Sequence, residues 1–213
     1  MTGIQLLIPE NIDHVCCGTP YSSKGYNAAS KFMARKTIAT LYDSSNQGKI
    51  PIVIDTSPCT YQLKNLLPLL DNIHKELYQQ LSFLDLIPFL DDLVRNNPNP
   101  QLHRHSILHP TCSTDKMGDI ESLLALANTC AEKTTLPIDH GCCGFAGDRG
   151  LLVPELTASA TQFEADELVD CDPGSFAYSS SRTCEIGMQR ATGRNYGSIA
   201  LLVRDYLSQD GVK

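Results

Sequence analysis

Several features that would suggest a function directly are missing from this sequence of 213 residues. It has no long basic patch and its formal net charge is −7, which argues against nucleic acid or an anionic membrane surface as the main partner. Its longest apolar runs fall far short of the roughly 18 residues that predict a transmembrane helix. The sequence therefore predicts a protein without a transmembrane segment.

Two common site motifs are also absent. No Cys-x-x-Cys pair occurs, although thiol–disulfide enzymes use that pair at the start of a helix. The glycine-rich run at 145–150 fits neither phosphate-loop spacing, so nucleotide binding is not expected. These absences make a thiol–disulfide enzyme the least favoured of the redox interpretations.

Cysteine is what the sequence has in quantity. The nine cysteines include two adjacent pairs, Cys16-Cys17 and Cys142-Cys143, and each pair is followed by glycine. A disulfide between neighbouring residues is strained, so each pair more naturally faces a common metal centre. Because nine is odd and no signal peptide is recognisable, we expect a reducing, cytoplasmic compartment rather than a secreted disulfide framework.

The cysteine spacing indicates a duplication. Cys59 follows Cys17 by 42 positions, and Cys184 follows Cys143 by 41 positions. We therefore divide the chain into a first half with a linker, 1–104, and a second half, 105–213. The second half has an additional strand before Cys112. An equivalent cysteine is expected upstream of the first half, which makes the sequence look like a fragment that begins inside its first repeat.

Apolar patterns predict strands that lead into the cysteine positions, alternating with helices. The predicted strands lie at 4–9, 50–55, 106–111, 134–138 and 176–180, and the predicted helices at 26–43, 83–97, 118–131, 154–168 and 198–207. This alternation predicts an α/β fold of two pseudo-symmetric halves, each a small, mostly parallel sheet flanked by helices. In such sheets ligands bind at the carboxyl ends of the strands, which is where the cysteines are expected.

The predicted metal ligands are seven cysteines. The second half supplies four thiolates, enough for an iron–sulfur cluster or a tetrahedral zinc ion: Cys112, Cys142, Cys143 and Cys184. The first half supplies three: Cys16, Cys17 and Cys59. Cys130, near the end of a predicted helix, is interpreted as a core residue.

Four charged or titratable residues are candidates for a supporting role beside the metal. His14 and His140 stand just before the two cysteine pairs, where they are either hydrogen-bonding partners of the ligands, ligands themselves, or an echo of the duplication. Arg149 and Arg182 lie near predicted ligands, where a positive charge lowers thiol pKa values. Ordinary surface arginines are the alternative.

The residues around the second set of cysteines resemble a known family. The segments that carry the resemblance are His109-Pro110-Thr111-Cys112 and the runs 142–150, 154–160 and 178–185. They resemble the cysteine-rich CCG domain, which occurs in heterodisulfide reductase and in the iron–sulfur subunits of glycolate oxidase and anaerobic glycerol-3-phosphate dehydrogenase. The chain is most similar to the C-terminal part of bacterial FAD-linked, iron–sulfur D-lactate dehydrogenases.

The resemblance implies a function in electron transfer. In that family an FAD domain oxidises a D-2-hydroxy acid, and iron–sulfur centres such as 4Fe-4S clusters pass electrons towards a respiratory acceptor. The implied partners are the FAD and ferredoxin-like domains of a parent enzyme, peripheral at the inner membrane. This sequence has no ferredoxin-like Cys-x-x-Cys-x-x-Cys run and no FAD domain, so neither catalytic residues nor FAD-binding residues are expected in it.

One departure from the family bears on the type of metal centre. The last ligand motif of heterodisulfide reductase is Cys-x-x-Cys, whereas Cys59 and Cys184 each lack the first of these thiols. This argues against the noncubane cluster of the reductase and leaves an ordinary cluster or zinc. The alternatives are therefore a non-redox zinc module that holds an enzyme together or docks a partner, and a thiol–disulfide redox protein. The isolated chain is expected to fold, and to be largely metal-free or to carry adventitious zinc.

Overall fold

The structure is a computed structural model that describes residues 3–10 and 12–208. The chain forms two compact units that divide after Asp85, and each is described by itself below. The division predicted from the sequence lies later, at 104/105, and the assignment of each half to one copy of a duplicated domain stays a prediction.

The N-terminal unit has a two-stranded parallel sheet covered by helices. Its elements are a 3₁₀ turn at Ile12–His14, α1 (Thr19–Ser22), α2 (Asn27–Ser44), β1 (Ile52–Ile54), α3 (Ser57–Lys64), a 3₁₀ turn at Leu67–Leu69, α4 (Asn72–Tyr78) and β2 (Phe83–Asp85). Ile52 of β1 lies opposite Phe83 of β2. The core forms where Ile38 and Leu41 of α2 pack with Leu63 and Leu66.

Two predictions for this unit were wrong in detail. Residues 4–9 form no strand, and Ile8 is 77% exposed. A strand requires a neighbour that accepts and donates its backbone hydrogen bonds, and in the described residues β1 pairs only with β2. The helix predicted over 83–97 begins three residues later, because Phe83–Asp85 joins the sheet as β2.

The C-terminal unit contains a larger sheet. Its elements are α5 (Leu86–Asn96), β3 (Leu102–Leu108), α6 (Cys112–Met117), α7 (Ile120–Cys130), β4 (Ala131–Thr135), α8 (Arg149–Leu152), α9 (Pro154–Glu167), β5 (Phe176–Ser179), α10 (Arg182–Thr192), β6 (Tyr196–Ser198) and α11 (Ile199–Leu207). The strand order is β4-β3-β5-β6, and every pairing is parallel.

Helices cover both faces of this sheet, as parallel strands require. Leu108 of β3 packs with residues of α5, α7 and α11, while its neighbour Ile107 packs with Leu168, Ala177 and Met188 beside α9 and α10. Successive residues of one strand thus enter two separate cores. Cys130 is fully buried in the first of them, as expected for a small core residue.

The α/β class with small parallel sheets flanked by helices is confirmed. In the described residues, none of the helices is both long enough and apolar enough to cross a bilayer. The parallel strands end at a common edge of the sheet, which is where ligands bind in sheets of this kind.

Candidate metal centre

The strands of the C-terminal unit deliver cysteines to one edge of the sheet. β3 ends four residues before Cys112, and β5 ends five residues before Cys184. Cys142 and Cys143 lie in the segment that follows β4. Because parallel strands have their carboxyl ends on the same side, these cysteines converge although they are far apart in sequence.

Helix starts provide a favourable electrostatic setting for single cysteines. Cys184 is the third residue of α10, and Cys59 is the third residue of α3 in the other unit. The N-terminus of a helix carries a partial positive charge that stabilises a nearby thiolate. Within each cysteine pair, however, the contact with the neighbouring sulfur and burial raise the pKa of Cys184 and of Cys59.

Cys143 and Cys184 form the inner cysteine pair of the C-terminal unit. Their sulfur atoms are 3.0 Å apart and both side chains are buried. Cys143 shares a hydrogen bond with Cys184, and this bond lowers the pKa of Cys143 to about 5, although burial works against ionisation. The same bond raises the pKa of Cys184 above its usual value. The pair therefore holds one thiolate and one thiol at neutral pH.

A second cysteine pair lies beside the first but nearer to solvent. Cys142 shares a hydrogen bond with Cys112, and this bond lowers the pKa of Cys142 to about 6 and raises that of Cys112. Both residues are exposed. Coulombic interactions with Cys143, Cys112 and Cys142 further raise the pKa of Cys184. The four predicted ligands of the second half thus lie close enough to influence one another electrostatically.

A buried histidine faces the inner pair. His109 follows β3, its side chain is fully buried, and one ring nitrogen lies within 4.8 Å of the Cys143 and Cys184 sulfur atoms. Its Nδ1 is 2.9 Å from each carboxylate oxygen of Glu164 on α9. Burial favours the neutral imidazole, but Cys143 and Glu164 outweigh it and raise the pKa of His109 to about 9. This histidine and carboxylate complete a buried polar cluster.

Glycine residues allow the loop that carries Cys142 and Cys143 to pack on α9. Gly144 has φ +69°, and a Cβ atom there would lie 2.6 Å from the carbonyl oxygen of Leu156. At Gly150 a Cβ atom would lie 2.7 Å from the ring of Phe145. Gly144 and Gly150 therefore allow close packing of this loop.

The two Cys-Cys-Gly segments share a local geometry. Gly18 and Gly144 both have positive φ, 90° and 69°. The backbone N–H of Gly18 donates a hydrogen bond to the sulfur of Cys16 at 3.4 Å, and the backbone of Gly144 bonds Cys142. In both units the glycine turns the chain so that its N–H points back at the first sulfur of the pair.

The N-terminal unit brings its three predicted ligands together in a similar way. Cys17 lies 3.1 Å from Cys59, sulfur to sulfur, and this hydrogen bond lowers the pKa of Cys17 to about 6. The same bond, burial and coulombic interactions with the neighbouring cysteines raise the pKa of Cys59. The result is a smaller, three-cysteine cluster.

The predicted supporting residues have other contacts. His140 Nδ1 lies 2.6 Å from the carbonyl oxygen of Pro137, and the exposed His14 lies beside Asp13. Arg182 pairs with Glu185 at 2.8 Å, while Arg149 opens α8 and is exposed. Their role beside a metal stays a prediction.

Sequence reasoning misses the two polar residues of the buried cluster. The sequence places His109 in a motif but does not show that it faces the cysteines, and it does not single out Glu164. A signal for Glu164 exists: it shares the buried face of α9 with Thr157 and Thr161, at spacings of seven and three residues. A charged residue on such a face needs a buried partner.

The residues present fit a metal ion or an iron–sulfur cluster. Nε2 of His109 is buried and has no nitrogen or oxygen partner among the residues that the structure describes, although buried polar atoms are normally paired. Thiolate ligands bind zinc at about 2.3 Å, which sets sulfur atoms about 3.8 Å apart in a tetrahedron. The inner pair at 3.0 Å would therefore open slightly around a metal.

Comparison with known proteins identifies the N-terminal segment. Residues 1–64 match the family model of the cysteine-rich domain CCG. This segment is therefore similar to the cysteine-rich domain CCG. The resemblance inferred from the sequence is thus confirmed, and the Cys-Cys-Gly of the C-terminal unit repeats the motif outside the CCG match.

The curated relatives include a dehydrogenase subunit and lactate utilization proteins. An anaerobic glycerol-3-phosphate dehydrogenase subunit of Escherichia coli (strain K12) is 27% identical over 157 residues, 70% of this chain and 37% of that protein. Lactate utilization protein A of Bacillus velezensis is 25% identical over 188 residues, 81% of this chain and 76% of that protein. The corresponding Bacillus subtilis protein is 24% identical over 177 residues, covering 79% and 70%.

The chain spans little more than a third of the length of the glycerol-3-phosphate dehydrogenase subunit that it matches. No solved structure matches it. The similarity to the CCG domain and to these relatives supports a redox-related, metal-binding protein in general.

Proposed function

We propose that this chain is an iron–sulfur electron-transfer module of a multi-component dehydrogenase. The observation that carries the proposal is the buried group of Cys143, Cys184 and His109 beside Cys112 and Cys142. These four thiols and one imidazole lie at one edge of the sheet and can act as metal ligands, because soft sulfur ligands suit iron–sulfur clusters and zinc.

Ordinary core packing explains this arrangement poorly. Cys130 behaves as a core cysteine should, because burial raises its pKa to about 12. Cys143 is also buried, yet its pKa is lowered to about 5. A buried group poised to carry negative charge favours a cationic occupant.

The proposed parent enzyme is an FAD-linked dehydrogenase of D-lactate or a related D-2-hydroxy acid. In it, this module would receive electrons from the flavin through a ferredoxin-like domain and pass them towards a respiratory acceptor. The names of the relatives, which refer to lactate utilization and to a dehydrogenase, support this class. A cytoplasmic position, peripheral at the inner membrane, belongs to the same proposal.

In this role the protein residues hold and insulate the centre. An iron–sulfur cluster supplies one-electron transfer when bound. Cys112, Cys142, Cys143 and Cys184 are the proposed ligands in the second half, and Cys16, Cys17 and Cys59 in the first. The halves 1–104 and 105–213 are proposed to be repeats of one unit. Burial of Cys143 and Cys184 keeps water from the inner side of the second site.

A zinc module is the second candidate, and His109 is the observation that favours it. Zinc commonly binds mixed cysteine and histidine sets in tetrahedral geometry. Such a module would hold the parent enzyme together or dock a partner without changing oxidation state. It predicts the same ligands and a colourless protein.

Anaerobic purification followed by metal and sulfide analysis tests the two candidates. Iron with acid-labile sulfide and a visible band that bleaches on reduction is the expected result. Stoichiometric zinc without a visible band would replace the electron-transfer proposal by the zinc module. A chain that binds neither after reconstitution would overturn both.

A further inference from the structure

The buried dyad of Glu164 and His109 has a geometry that ordinary packing does not require. Glu164 places both carboxylate oxygens 2.9 Å from one ring nitrogen, Nδ1. That contact leaves Nε2 buried and, within residues 3–10 and 12–208, without a nitrogen or oxygen partner. A buried polar atom is normally paired, and the interaction of the ring with Cys143 places that partner among the sulfur atoms.

The sulfur atoms beside the ring identify the kind of partner. The ring nitrogen, Cys143 Sγ and Cys184 Sγ all lie within 4.8 Å of one another. Three donor atoms that are each about 2.1–2.3 Å from one ion lie roughly 3.5–3.8 Å apart. The three atoms can therefore reach one metal ion after small side-chain movements.

We propose that His109 is a metal ligand through Nε2, together with Cys143 and Cys184, and that Glu164 is a positioning residue. The second site is then a mixed nitrogen and sulfur site, with the exposed Cys112 and Cys142 on its outer side. This rests on the proposed function, because it assumes that the second half binds metal. A carboxylate that hydrogen-bonds the other ring nitrogen is the usual support of a metal-bound histidine.

The proposal accounts for the place of Glu164 in the fold. Glu164 is 2% exposed on α9, at the buried face shared with Thr157 and Thr161. A buried carboxylate is costly unless it is paired, and Glu164 pairs with His109. The carboxylate holds Nδ1 and so leaves Nε2 as the nitrogen available to a metal ion. Metal binding would displace the proton on Nε2 of His109 and the proton of the Cys184 thiol.

Cobalt binding to the full chain tests the proposal. Co²⁺ substitutes for Zn²⁺ in tetrahedral sites, and its visible bands and X-ray absorption distinguish nitrogen from sulfur ligands. Cys59→Ser serves as the background, because it removes one thiolate of the first site. We expect one histidine in the X-ray absorption spectrum of the bound cobalt. A sulfur-only spectrum would overturn the ligand role of His109 and leave the metal-binding proposal intact.

Variants separate a ligand from a structural residue. In the same background, His109→Gln should weaken Co²⁺ binding at least about 10-fold and shift the visible bands, while Glu164→Gln should weaken binding about 10–100-fold with the bands unchanged. His105→Gln is the matched control, since His105 lies on β3 and bonds Thr135 and Ser175 instead. It should bind as the background does.

The remaining outcomes are also decisive. If folded His109→Gln protein, checked by circular dichroism, keeps the affinity and bands of the background, the histidine is structural only. If the Cys59→Ser protein binds no Co²⁺ under reducing conditions, the proposed function itself fails. If His109→Gln does not fold, the X-ray absorption spectrum of the background protein still decides the question.

Discussion

The sulfur atoms of Cys143 and Cys184 lie 3.0 Å apart although the residues are 41 positions apart in the sequence. The contact joins the loop after β4 to the first turn of α10. Removal of either thiol should therefore affect both the metal centre and the attachment of the loop.

Cys184→Ser should lose the metal of the second site. A serine hydroxyl is a poor replacement for a thiolate ligand, because soft metal centres prefer sulfur. Metal analysis of anaerobically purified protein should show a reduced content, with the share of the first site retained. Cys171→Ser is the control, since Cys171 packs against the hydrophobic core that contains Ile107 and Leu168 and is not a predicted ligand. Equal losses in both variants would contradict the assignment.

Gly144→Ala should destabilise the C-terminal unit by on the order of 2 kcal/mol, because it combines left-handed strain with overpacking. The new methyl group would lie 2.6 Å from the oxygen of Leu156 and 2.8 Å from Cβ of Ala160. Urea unfolding measures the change. Gly141→Ala is the matched control, because nothing lies within 4 Å of its Cβ position. A control as unstable as Gly144→Ala would rule out this packing argument.

Cys142 in the reduced, metal-free protein should react with iodoacetamide along a curve centred near pH 6. The thiolate is the nucleophile, and the hydrogen bond with Cys112 lowers the pKa of Cys142 to about 6. The rate should therefore rise through pH 6, as measured by mass spectrometry of the labelled peptide. Cys112→Ser should move the midpoint upwards. A midpoint near the ordinary thiol pKa of about 8.5 in the unsubstituted protein would refute the prediction.

Asp205→Asn should lower stability at neutral pH by up to about 1 kcal/mol, as for other partly exposed ion pairs. Burial opposes ionisation of Asp205, but hydrogen bonds from Arg204 and Arg104 lower its pKa. A lowered folded-state pKa stabilises the fold above about pH 4, and this contribution disappears as pH falls through the lower value.

Urea unfolding at several pH values checks the Asp205 prediction. The difference between Asp205→Asn and the unsubstituted protein should vanish in strong acid. The exposed Asp170 provides the control substitution to asparagine, which should leave stability nearly unchanged at every pH. A constant difference across the pH range would contradict the ion-pair explanation.

The first site should release metal before the second. It offers Cys16, Cys17 and Cys59, and three thiolates hold a tetrahedral ion less firmly than a full set of four ligands. When a chelator is added in steps to protein loaded with Zn²⁺, zinc should therefore be released in two phases, the first at low and the second at high chelator concentration. Cys59→Ser should abolish only the first phase. Loss of the second phase instead would reverse the assignment.

Sequence patterns are sufficient for the long elements. The helix expected over 154–168 is α9, Pro154–Glu167, and the strand expected over 176–180 is β5, Phe176–Ser179. The apolar pattern of each element and the turn residues at its ends are local features of the sequence. Both elements can therefore be predicted without knowing which other elements pack against them. The convergence of Cys143 with Cys184 follows from strand ends and duplication.

Pairing partners are what the sequence does not supply. Three residues of β2, Phe83–Asp85, continue directly into α5, and only their hydrogen bonds with β1 make them a strand. Residues 4–9 have a similar apolar pattern without such a partner in the described residues. His109 and Glu164 are 55 positions apart, and no local pattern joins them.

The residues of the second site are unequally exposed, so one side of the site is closer to solvent than the other. Cys143, Cys184 and His109 are buried, whereas Cys112 and Cys142 reach solvent. Electron tunnelling weakens steeply with the thickness of protein between donor and acceptor, so a centre held here would exchange electrons most rapidly through its exposed cysteines. A redox partner would gain the shortest tunnelling path by docking over Cys112 and Cys142, and a bulky label on either sulfur would lengthen that path.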